Sequence, residues 1–406
     1  MRGKPRGSED SREGSGGWLN RTVMGIGLAS LLSDWSHEMA TTLLPAFVAT
    51  LGGSAAWVGV IEGVADGLSS FAKMGSGYYT DQVRRRKPIA VGGYLVTALG
   101  TAAFGLASAA WHVAVARGVA WFGRGVRTPV RKALLAGGVG ASAYGRAFGF
   151  ERMMDTCGAI VGPATAVMLL QLFRHSYESV FVSTLVPGLM AAGCIGFLVQ
   201  EKGRVPVPHV RFGVRLRMLP RHYRRFLLAV GMFGMGDFAH TLLILLATQQ
   251  LTPVLGAAGA ASVAAGLYVG HNVAYAACAY GAGWLGDRMN KRRLLAAGYG
   301  LAAVMALCVI MLPLTKWVLG LVFLLGGVYV GVEETLEDAL CAELVSKEQH
   351  GMAFGVLATI NGVGDLVSSV VVGALWAGIG VEAAFAYSAV LFAAGATLVW
   401  GVARSE

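Results

Sequence analysis

Charged side chains are scarce in this 406-residue chain. Asp, Glu, Lys and Arg make up 14% of it, against about 25% in an ordinary soluble domain. None of the five cysteines belongs to a Cys-x-x-Cys pair, which excludes that class of metal or redox site. We expect all five to be small buried apolar residues: Cys157, Cys194, Cys278, Cys308 and Cys341. The chain also lacks a Gly-x-x-x-x-Gly-Lys-Ser/Thr loop, which excludes P-loop nucleotide hydrolysis.

The chain is instead rich in long apolar stretches. Hydrophobic residues make up 55% of the chain, and runs of about 20 such residues recur, which is the length that crosses a bilayer as a helix. Their periodicity is helical, whereas a β-barrel would alternate in short segments. We therefore predict an all-α membrane protein with twelve transmembrane helices, numbered here as spans 1 to 12: 22–47, 55–79, 88–109, 112–137, 147–173, 178–200, 222–248, 258–284, 293–313, 316–342, 352–378 and 381–403.

The sequence repeats itself at an offset of 206 positions. GSGYYTDQVRRRKP at 75–88 aligns with GAGWLGDRMNKRR at 281–293, and GRAFGFERMMDTCG at 145–158 aligns with GMAFGVLATINGVG at 351–364. Two copies of one apolar unit predict two pseudo-symmetric six-helix bundles around a central path.

The pattern divides the chain into four parts. Residues 1–21 are expected to form a cytoplasmic tail, polar and disordered over its first 17 positions, with no removable signal peptide. A six-helix bundle at 22–200 and another at 222–406 flank a Pro- and Arg-rich linker at 201–221.

Basic residues predict the orientation in the membrane. With the N-terminus in the cytoplasm, the inward-facing connections carry most of the lysines and arginines: Arg84, Arg85, Arg86, Lys87, Arg131, Lys132, Arg146, Lys202, Arg204, Arg211, Arg215, Arg217, Arg221, Arg224, Arg225, Arg288, Lys291, Arg292 and Arg293. The opposite side carries only Arg174 and Lys316. We expect an inner (plasma) membrane protein with both termini cytoplasmic, whose net charge of +10 reflects topology and anionic lipid and not nucleic acid.

The repeated loop carries a recognisable pattern: Gly77, Asp81, Arg85 and Arg86 in the first copy, and Gly283, Asp287, Arg288, Lys291 and Arg292 in the second. It resembles the signature Gly-x-x-x-Asp-Arg-x-Gly-x-Arg-Lys/Arg of the major facilitator superfamily, from which Gln82, Arg84 and Asn290 depart. The resemblance implies the twelve-helix fold of that family, with the two loops holding an outward-facing state together. The glycines would allow close helix contact, and the aspartates would accept from a neighbouring helix N-terminus or from loop arginines. The alternative is that these loops serve only as positive anchors.

Span 5 carries a second family pattern. Gly158, Gly162 and Pro163 form Gly-x-x-x-Gly-Pro, which resembles the antiporter signature of the same family, although Ala164 and Thr165 follow where that signature has glycines. The resemblance slightly favours antiport or efflux. Ordinary helix packing with a proline kink is the alternative.

Ionisable residues inside the spans are costly, at roughly 2.5–3.5 kcal/mol each, so they must face water or one another. Span 4 carries Arg117, Arg124, Arg127 and Arg131 on one helical face, and span 10 carries Glu333, Glu334, Glu337 and Asp338. The offset of 206 places Arg127, Arg131 and Lys132 on Glu333, Glu337 and Asp338 with the charge reversed.

The reversed charges suggest attraction between the two bundles. We expect Arg131 and Lys132 to meet Glu337 and Asp338 as a cytoplasmic gate. Arg124, Arg127, Glu333 and Glu334 would then line a deeper substrate cavity. The alternative is pairing within one bundle, for example of Arg127 with Glu151 or Asp155. Glu62 and Asp66 on span 2 are expected to pair with Lys73 or with loops.

Spans 1 and 7 supply candidate proton carriers. Asp34, His37 and Glu38 share one face of span 1, and Asp237 and His240 lie three apart on span 7. Carboxylates at a low-dielectric wall take up protons readily, and histidine titrates near neutrality. A structural hydrogen-bond network is the alternative for all five.

These features together predict a secondary active transporter. It would move a small solute across the bilayer by alternating access, coupled to protons, as a monomer with no cofactor. A first alternative is transport of a transition metal or metal chelate, with Met232, Met235, Asp237 and His240 as soft-to-borderline ligands and His37 opposite.

The sequence supports two further functions less well than transport. The first is a sensor or scaffold without transport. An intramembrane aspartyl protease is the other, since Gly-x-Gly-Asp occurs at 234–237 and 362–365, but no Tyr-Asp pair accompanies it. We therefore expect no enzyme activity.

Overall fold

The computed structural model describes residues 17–404 except 202, 204 and 205, and it leaves out the side chains of 55, 56 and 402–404. Two sets of sequence predictions lie outside the described residues: the disordered tail over positions 1–16, and the basic linker residues Lys202 and Arg204. Helices account for nearly all of the described chain.

The first half of the molecule contains the helices before the linker. They are α1 (Arg21–Thr50), α2 (Ala55–Thr80), α3 (Lys87–Ala102), α4 (Ala110–Gly137), α5 (Tyr144–Leu172), α6 (Tyr177–Ser183) and α7 (Leu185–Gly193). A 3₁₀ turn at Ala103–Leu106 extends α3, and a π-helical turn at Cys194–Leu198 extends α7. The predicted span 6 therefore consists of α6, α7 and this turn.

The linker and the second half follow. The linker contains a short helix, α8 (Phe212–Met218), and the second half contains α9 (Arg221–Gly234), α10 (Thr241–Gly286), α11 (Lys291–Met311), α12 (Lys316–Leu344), α13 (His350–Gly378) and α14 (Val381–Arg404). Asn290 caps α11 by accepting from the backbone N–H groups of Arg292 and Arg293. Spans 9 to 12 correspond to α11 to α14.

Spans 7 and 8 differ from the prediction in where they bend. The sequence predicts one continuous span at 222–248, but the structure ends α9 at Gly234 and resumes at Thr241. Glycines at 234 and 236 weaken a helix, which explains the break. A second bend lies inside the 46 residues of α10 at Gly256, whose φ is 69°. Glycine adopts such a positive φ without steric strain. Span 7 is thus α9 plus the first part of α10, and span 8 is the rest.

Eight helical segments in the described part of the chain are long and apolar enough to cross a membrane. α1, α2, α4 and α9 are not among them. These four carry many of the ionisable residues, among them Asp34 on α1, Glu62 on α2 and Arg124 on α4. α9 is excluded by its length of 14 residues, and the charged residues of the other three helices lie where the sequence predicts a hydrated interior.

Within each half the helices pack in close pairs. α1 packs on α5, and α4 packs on both α2 and α3, while α12 packs on α10 and α14 packs on α11. Between the halves, α5 packs most closely on α10 and α2 on α13, and α5 also packs on α12 and α4 on α13. Glycines allow the contact: a Cβ atom on Gly77 would lie 2.9 Å from the Cα of Gly355, and one on Gly283 would collide with the backbone of Gly145.

These glycine contacts lie at one end of the molecule, called here the basic end. It holds the α2–α3 and α10–α11 loops, with their arginines and lysines, and the linker helix α8. The opposite end, called the far end, holds the α1–α2, α3–α4, α5–α6, α11–α12 and α13–α14 connections.

Candidate functional site

Asp81 at the C-terminal end of α2 joins the two halves at the basic end. Its fully buried carboxylate accepts hydrogen bonds from the backbone N–H groups of Gly351 and Met352, both at 2.9 Å, in the first turn of α13. Arg86 donates to it at 2.6 Å, and Arg215 of α8 lies 3.5 Å away. A carboxylate at a helix N-terminus is stabilised by the free N–H groups and by the helix dipole.

Asp287 makes the same arrangement in the other copy of the repeat. It accepts from the backbone N–H groups of Gly145 at 2.8 Å and Arg146 at 3.0 Å, in the first turn of α5. The Arg146 side chain donates at 2.8 Å, and Lys291 lies 3.8 Å away. We call these two arrangements the Asp81 latch and the Asp287 latch.

The remaining basic residues of the two signature loops lie around the latches and make other contacts. Arg85 is exposed, and Arg288 stacks on Trp284 with its guanidinium carbon 3.4 Å from the ring centre. The backbone N–H of Arg292 donates to the cap Asn290. Lys291 also pairs with Glu343 at 2.9 Å.

Further ion pairs cross between the halves beside the latches. Lys132 on α4 contacts Asp338 on α12 at 2.7 Å, which is one of the contacts that the sequence predicts. Arg152 on α5 contacts Glu334 at 2.9 Å and lies 3.9 Å from Asp338. All four side chains are at least half buried, and Asp338 is 4% exposed. This cluster of Lys132, Arg152, Glu334 and Asp338 is called the charge bridge below.

Arg131 does not join the charge bridge, which corrects the predicted contact with Glu337. It pairs within its own half, with Glu151 at 2.8 Å and Asp155 at 3.5 Å, and donates to Ser30 at 2.6 Å. Successive residues on a helix point about 100° apart. Lys132 therefore faces the other half while Arg131 faces α1 and α5.

Glu337 and Glu333 occupy the interior of the second half. Glu337 accepts from the hydroxyl of Tyr299 and, at 2.8 Å, from the amide of Asn361. Glu333 is 6% exposed and forms no ion pair with any described residue. Arg127, expected to line the cavity or to pair with Glu151 or Asp155, instead points to α3, where its guanidinium carbon lies 4.1 Å from the Tyr94 ring centre. It forms no ion pair with a described residue, and Glu151 and Asp155 pair with Arg131.

Arg124 and Asp34 form the charged pair of the inner wall in the first half. The guanidinium of Arg124 lies 3.1 Å from the Asp34 carboxylate, and the Arg124 side chain is 30% exposed. Glu38 lies one turn further along α1, 28% exposed, with His37 at 3.6 Å. His37 packs on Trp121 with the ring centres 4.3 Å apart.

The wall continues toward the far end through α2 and α4. Nη2 of Arg117 donates to both carboxylate oxygens of Glu62, at 2.8 and 2.9 Å, and Asp66 accepts from the indole N–H of Trp121 at 2.8 Å. These partners replace the predicted pairing of Glu62 and Asp66 with Lys73 or loops. α2 and α4 pack side by side, which brings each carboxylate to an α4 side chain.

The glycine pattern of span 5 lies against this wall. A Cβ atom on Gly158 would lie 2.9 Å from the backbone nitrogen of Trp35, and one on Gly162 would lie 2.5 Å from the Cβ of Glu38. Pro163 lies inside α5 directly after Gly162. The pattern thus allows α5 to approach α1 beside Asp34 and Glu38.

Asp237 and His240 lie in the break between α9 and α10. Asp237 accepts from the Tyr329 hydroxyl at 2.9 Å, and its backbone carbonyl accepts from Ser368 at 2.5 Å. His240 packs on His271 with the ring centres 4.8 Å apart. The structure does not bring His37 or Asp34 to this pair, although the offset aligns Asp34 with His240.

The candidate metal ligands share this region of span 7. Met232 lies in α9, and Met235 lies at the start of the break. Asp237 is engaged by Tyr329, and within the described residues no three His, Cys, Asp or Glu side chains are grouped so as to hold a metal ion.

Several residues of the site escape the sequence analysis. Arg152 has no reversed-charge partner at the repeat offset, and Tyr275, Tyr299 and Tyr329 donate hydroxyl hydrogen bonds to carboxylates of the second half. One signal for Arg152 does exist, since Glu151, Arg152 and Asp155 place three ionisable groups within five positions of a predicted span. The tyrosines give no comparable signal.

Comparison with known proteins places this architecture in a family. The family model for the Major Facilitator Superfamily matches residues 26–332 and 226–406. An MFS-type transporter of Methanocaldococcus jannaschii is 27% identical over 386 residues, covering 95% of this chain and 94% of that protein. The multidrug resistance protein MdtH of Salmonella typhi is 27% identical over 183 residues, covering 44% of this chain and 45% of that protein.

Solved structures share the fold. The fucose:proton symporter FucP of E. coli superposes with a TM-score of 0.73 at 19% identity, over 94% of this chain and 99% of that one. The human organic anion transporter MFSD10 gives a TM-score of 0.71 at 15% identity, over 93% of this chain and 99% of that one. The chain therefore belongs to the major facilitator superfamily, a family of integral membrane transporters for small molecules and not of enzymes.

Proposed function

We propose that this protein is a proton-coupled secondary transporter that moves a small solute by alternating access, with antiport and efflux favoured. One observation carries the proposal. The charge bridge and the two latches join the halves at the basic end, while the pairs Arg124–Asp34 and Arg117–Glu62 keep partly exposed members on the inner wall. A closed end beside a charged, partly accessible wall is the arrangement that an alternating-access carrier needs.

The orientation of the cycle follows from the basic residues. The positive-inside rule assigns the basic end to the cytoplasm, which puts both termini there and makes the described state closed to the cytoplasm. The inward-facing state then requires the latches and the charge bridge to separate. Buried ion pairs are costly to break singly, so all of these contacts are expected to open together.

Asp34 is the proposed proton site, with Glu38 beside it. Protonation of the Asp34 carboxylate removes the charge that holds Arg124 at 3.1 Å and frees a partly exposed guanidinium. Gly158 and Gly162 allow α5 to lie against this part of α1, so a change in the pair is transmitted directly to the helix that carries Arg152. This provides a physical route from proton binding to the charge bridge.

Efflux is favoured over uptake by two features. The Gly158–Gly162–Pro163 pattern lies beside the proposed proton site, and the relative MdtH carries the name of a multidrug resistance protein. The metal alternative is not proposed, because Asp237 is engaged by Tyr329 and no three His, Cys, Asp or Glu side chains of the described residues are grouped so as to hold a metal ion.

Transport in proteoliposomes tests the proposal. Counterflow is measured against a panel of zwitterionic, cationic and anionic solutes, and net flux is then measured with and without a pH gradient. We expect Asp34→Asn to retain counterflow and to lose the response to the gradient. Glu178→Gln is the control, because Glu178 is exposed at the far end. Flux that ignores the gradient in the unaltered protein would exclude proton coupling, and absence of any flux would exclude the carrier.

A further inference from the structure

A groove at the basic end crosses the seam between the two halves. Its volume is about 730 Å³, within the range of about 300–1,000 Å³ that is typical of small-molecule sites. Met74 on α2 forms one wall, Leu216 on the linker helix α8 another, and Ile360 on α13 a third. The beginning of α9 closes the groove with Arg221, Arg224 and Arg225, all three of which are exposed.

The three arginines form an uncompensated positive cluster. Their spacing of three and four residues puts them near one face of α9, and none of them forms an ion pair with a described residue. No acidic side chain in the described part of the chain lines the groove. Guanidinium groups bind phosphate through paired hydrogen bonds, so the cluster fits a phosphate-bearing anion.

Apart from Thr359, the remaining side chains that line the groove are apolar, and two of them are exposed. Leu228, one turn beyond the arginines, is 70% exposed, and Leu216 on the opposite wall is 37% exposed. An anionic head at the arginines with an apolar tail along Leu216, Leu228 and Ile360 satisfies both parts of the groove. A soluble anion would satisfy only the arginines.

We propose that this groove binds an anionic phospholipid of the leaflet at the basic end. Its phosphate lies among Arg221, Arg224 and Arg225, and an acyl chain lies along the apolar walls. Basic residues at this level attract anionic lipids, and a pocket between helices turns the general attraction into a site.

The bound lipid favours the state in which the basic end is closed. Met74 lies one turn from Gly77, and Ile360 lies between one and two turns beyond Gly355, so the groove borders the glycine contact that joins the halves. α8 is docked on α2 through Arg215 to Asp81 and through the Tyr78 hydroxyl to the Val210 carbonyl at 2.7 Å. Separation of the halves removes the α2 wall, and a ligand stabilises the state that it binds better. This second step rests on the proposed alternating access, whereas the site itself does not.

Lipid retention tests the site. The full chain is reconstituted in vesicles of phosphatidylcholine with phosphatidylglycerol, extracted, and examined by native mass spectrometry for bound lipid. The triple variant Arg221→Gln, Arg224→Gln, Arg225→Gln is expected to lose preference for phosphatidylglycerol by about fivefold for each arginine. Leu216→Trp keeps the arginines, fills the groove, and is expected to lose retention as well.

The control removes the same charge elsewhere at the basic end: Arg211→Gln, Arg217→Gln, Arg288→Gln, all exposed and outside the groove. It is expected to retain phosphatidylglycerol. Equal loss in the control, full retention in Leu216→Trp, or displacement of the lipid by inorganic phosphate alone would each overturn the phospholipid site.

Hydrogen exchange tests the preference for one state. Amides at Gly351 and Met352 are expected to exchange more slowly in vesicles containing phosphatidylglycerol than in pure phosphatidylcholine, and the triple variant should abolish the difference. Unchanged exchange with retained lipid would remove the state preference and leave the site. Failure of transport in the proteoliposome assay would contradict the carrier and would leave lipid retention unaffected, so the two proposals fail separately.

Discussion

Lys132 and Asp338 occupy equivalent positions in the two copies of the repeat and contact each other at 2.7 Å. Residues that a pseudo-two-fold axis exchanges can meet only near that axis, so this pair marks the centre of the interface. The repeat has kept the position and reversed the charge, which turns a like-charge clash into an attraction. The ion pair therefore holds the halves together near their pseudo-two-fold axis.

Exchange of these two charges is the first prediction. Lys132→Asp or Asp338→Lys alone leaves two like charges in a buried site, where breaking an ion pair costs about 3–5 kcal/mol. Each single variant is expected to lower transport by more than about 100-fold, and the double variant should recover part of it. Counterflow in proteoliposomes, normalised to reconstituted protein, measures the effect.

The control for this charge exchange uses Arg131, the neighbour of Lys132, whose ion pairs do not cross the interface. Arg131 pairs with Glu151 and Asp155 inside its own half, so combining Arg131→Glu with Glu337→Arg should rescue nothing. Recovery in that pair and none in the Lys132–Asp338 exchange would contradict the observed partners.

The glycines at the seam provide a second prediction. Leu at Gly77 would press its Cβ to 2.9 Å from the Cα of Gly355, and nothing lies within 4 Å of a Cβ on Gly75. Gly77→Leu is expected to keep the basic end from closing and to reduce transport by roughly 5- to 150-fold, because overpacking costs about 1–3 kcal/mol. Gly75→Leu introduces the same side chain at a position with open space and should leave transport near its normal level.

The same comparison is available in the second copy of the repeat. A Cβ on Gly283 collides with Gly145, whereas one on Gly281 meets nothing within 4 Å. Gly283→Leu and Gly281→Leu should therefore repeat the contrast. Equal activity of all four variants would show that close approach of α2 to α13 and of α5 to α10 is not needed.

The Asp81 latch gives a third prediction. Asp81→Asn keeps the shape but removes the charge that accepts from Gly351 and Met352. Hydrogen bonds to charged groups contribute about 1.5–3 kcal/mol, so the amides at the start of α13 should exchange roughly 10- to 100-fold faster. Hydrogen exchange followed by mass spectrometry measures this, and Asp287→Asn should do the same at Gly145 and Arg146.

Hydrogen exchange at the latch that is not altered is the internal control for each variant. Asp81→Asn should affect the start of α13 more strongly than the start of α5, and Asp287→Asn should do the reverse. Unchanged exchange at Gly351 in Asp81→Asn would mean that the carboxylate does not hold the α13 terminus.

The repeat made much of this arrangement predictable from sequence. Gly77 and Asp81 keep their spacing in Gly283 and Asp287, so the loop residues could be assigned to helix ends before any coordinates. The offset of 206 also identified Lys132 and Asp338 as partners. Span number and the division into halves follow from apolar length and from the linker, which are features of composition and need no knowledge of contacts.

What sequence could not supply is the rotation of each helix about its axis. Arg131 and Lys132 are adjacent in the chain, and both align with acidic residues, but they point about 100° apart. Only packing determines which of them faces the other half. Helix rotation also explains why Arg127, predicted to face the cavity, lies on the Tyr94 ring. Arg152 was missed for another reason: its partner Glu334 does not align with it at the offset of 206.

Arg127 and Arg131 give the last prediction, because they are buried alike and partnered differently. Arg131 satisfies Glu151 and Asp155. Arg127 forms no ion pair with a described residue, and its Nε and Nη1 atoms have no hydrogen-bond partner there. Removal of one member of a buried pair strands the other charge. Burial of an unpaired charge costs free energy, and replacement by an apolar side chain of similar volume removes that cost.

Arg131→Met is therefore expected to destabilise the protein by about 3–5 kcal/mol and to lower Tm in detergent. Arg127→Met should leave Tm unchanged or raise it, because removal of an unpaired buried charge offsets the lost stacking on Tyr94, which contributes about 2 kcal/mol at a desolvated site. Thermal unfolding followed by intrinsic tryptophan fluorescence compares the two. An equal fall in Tm for both variants would show that Arg127 has an electrostatic partner of comparable strength.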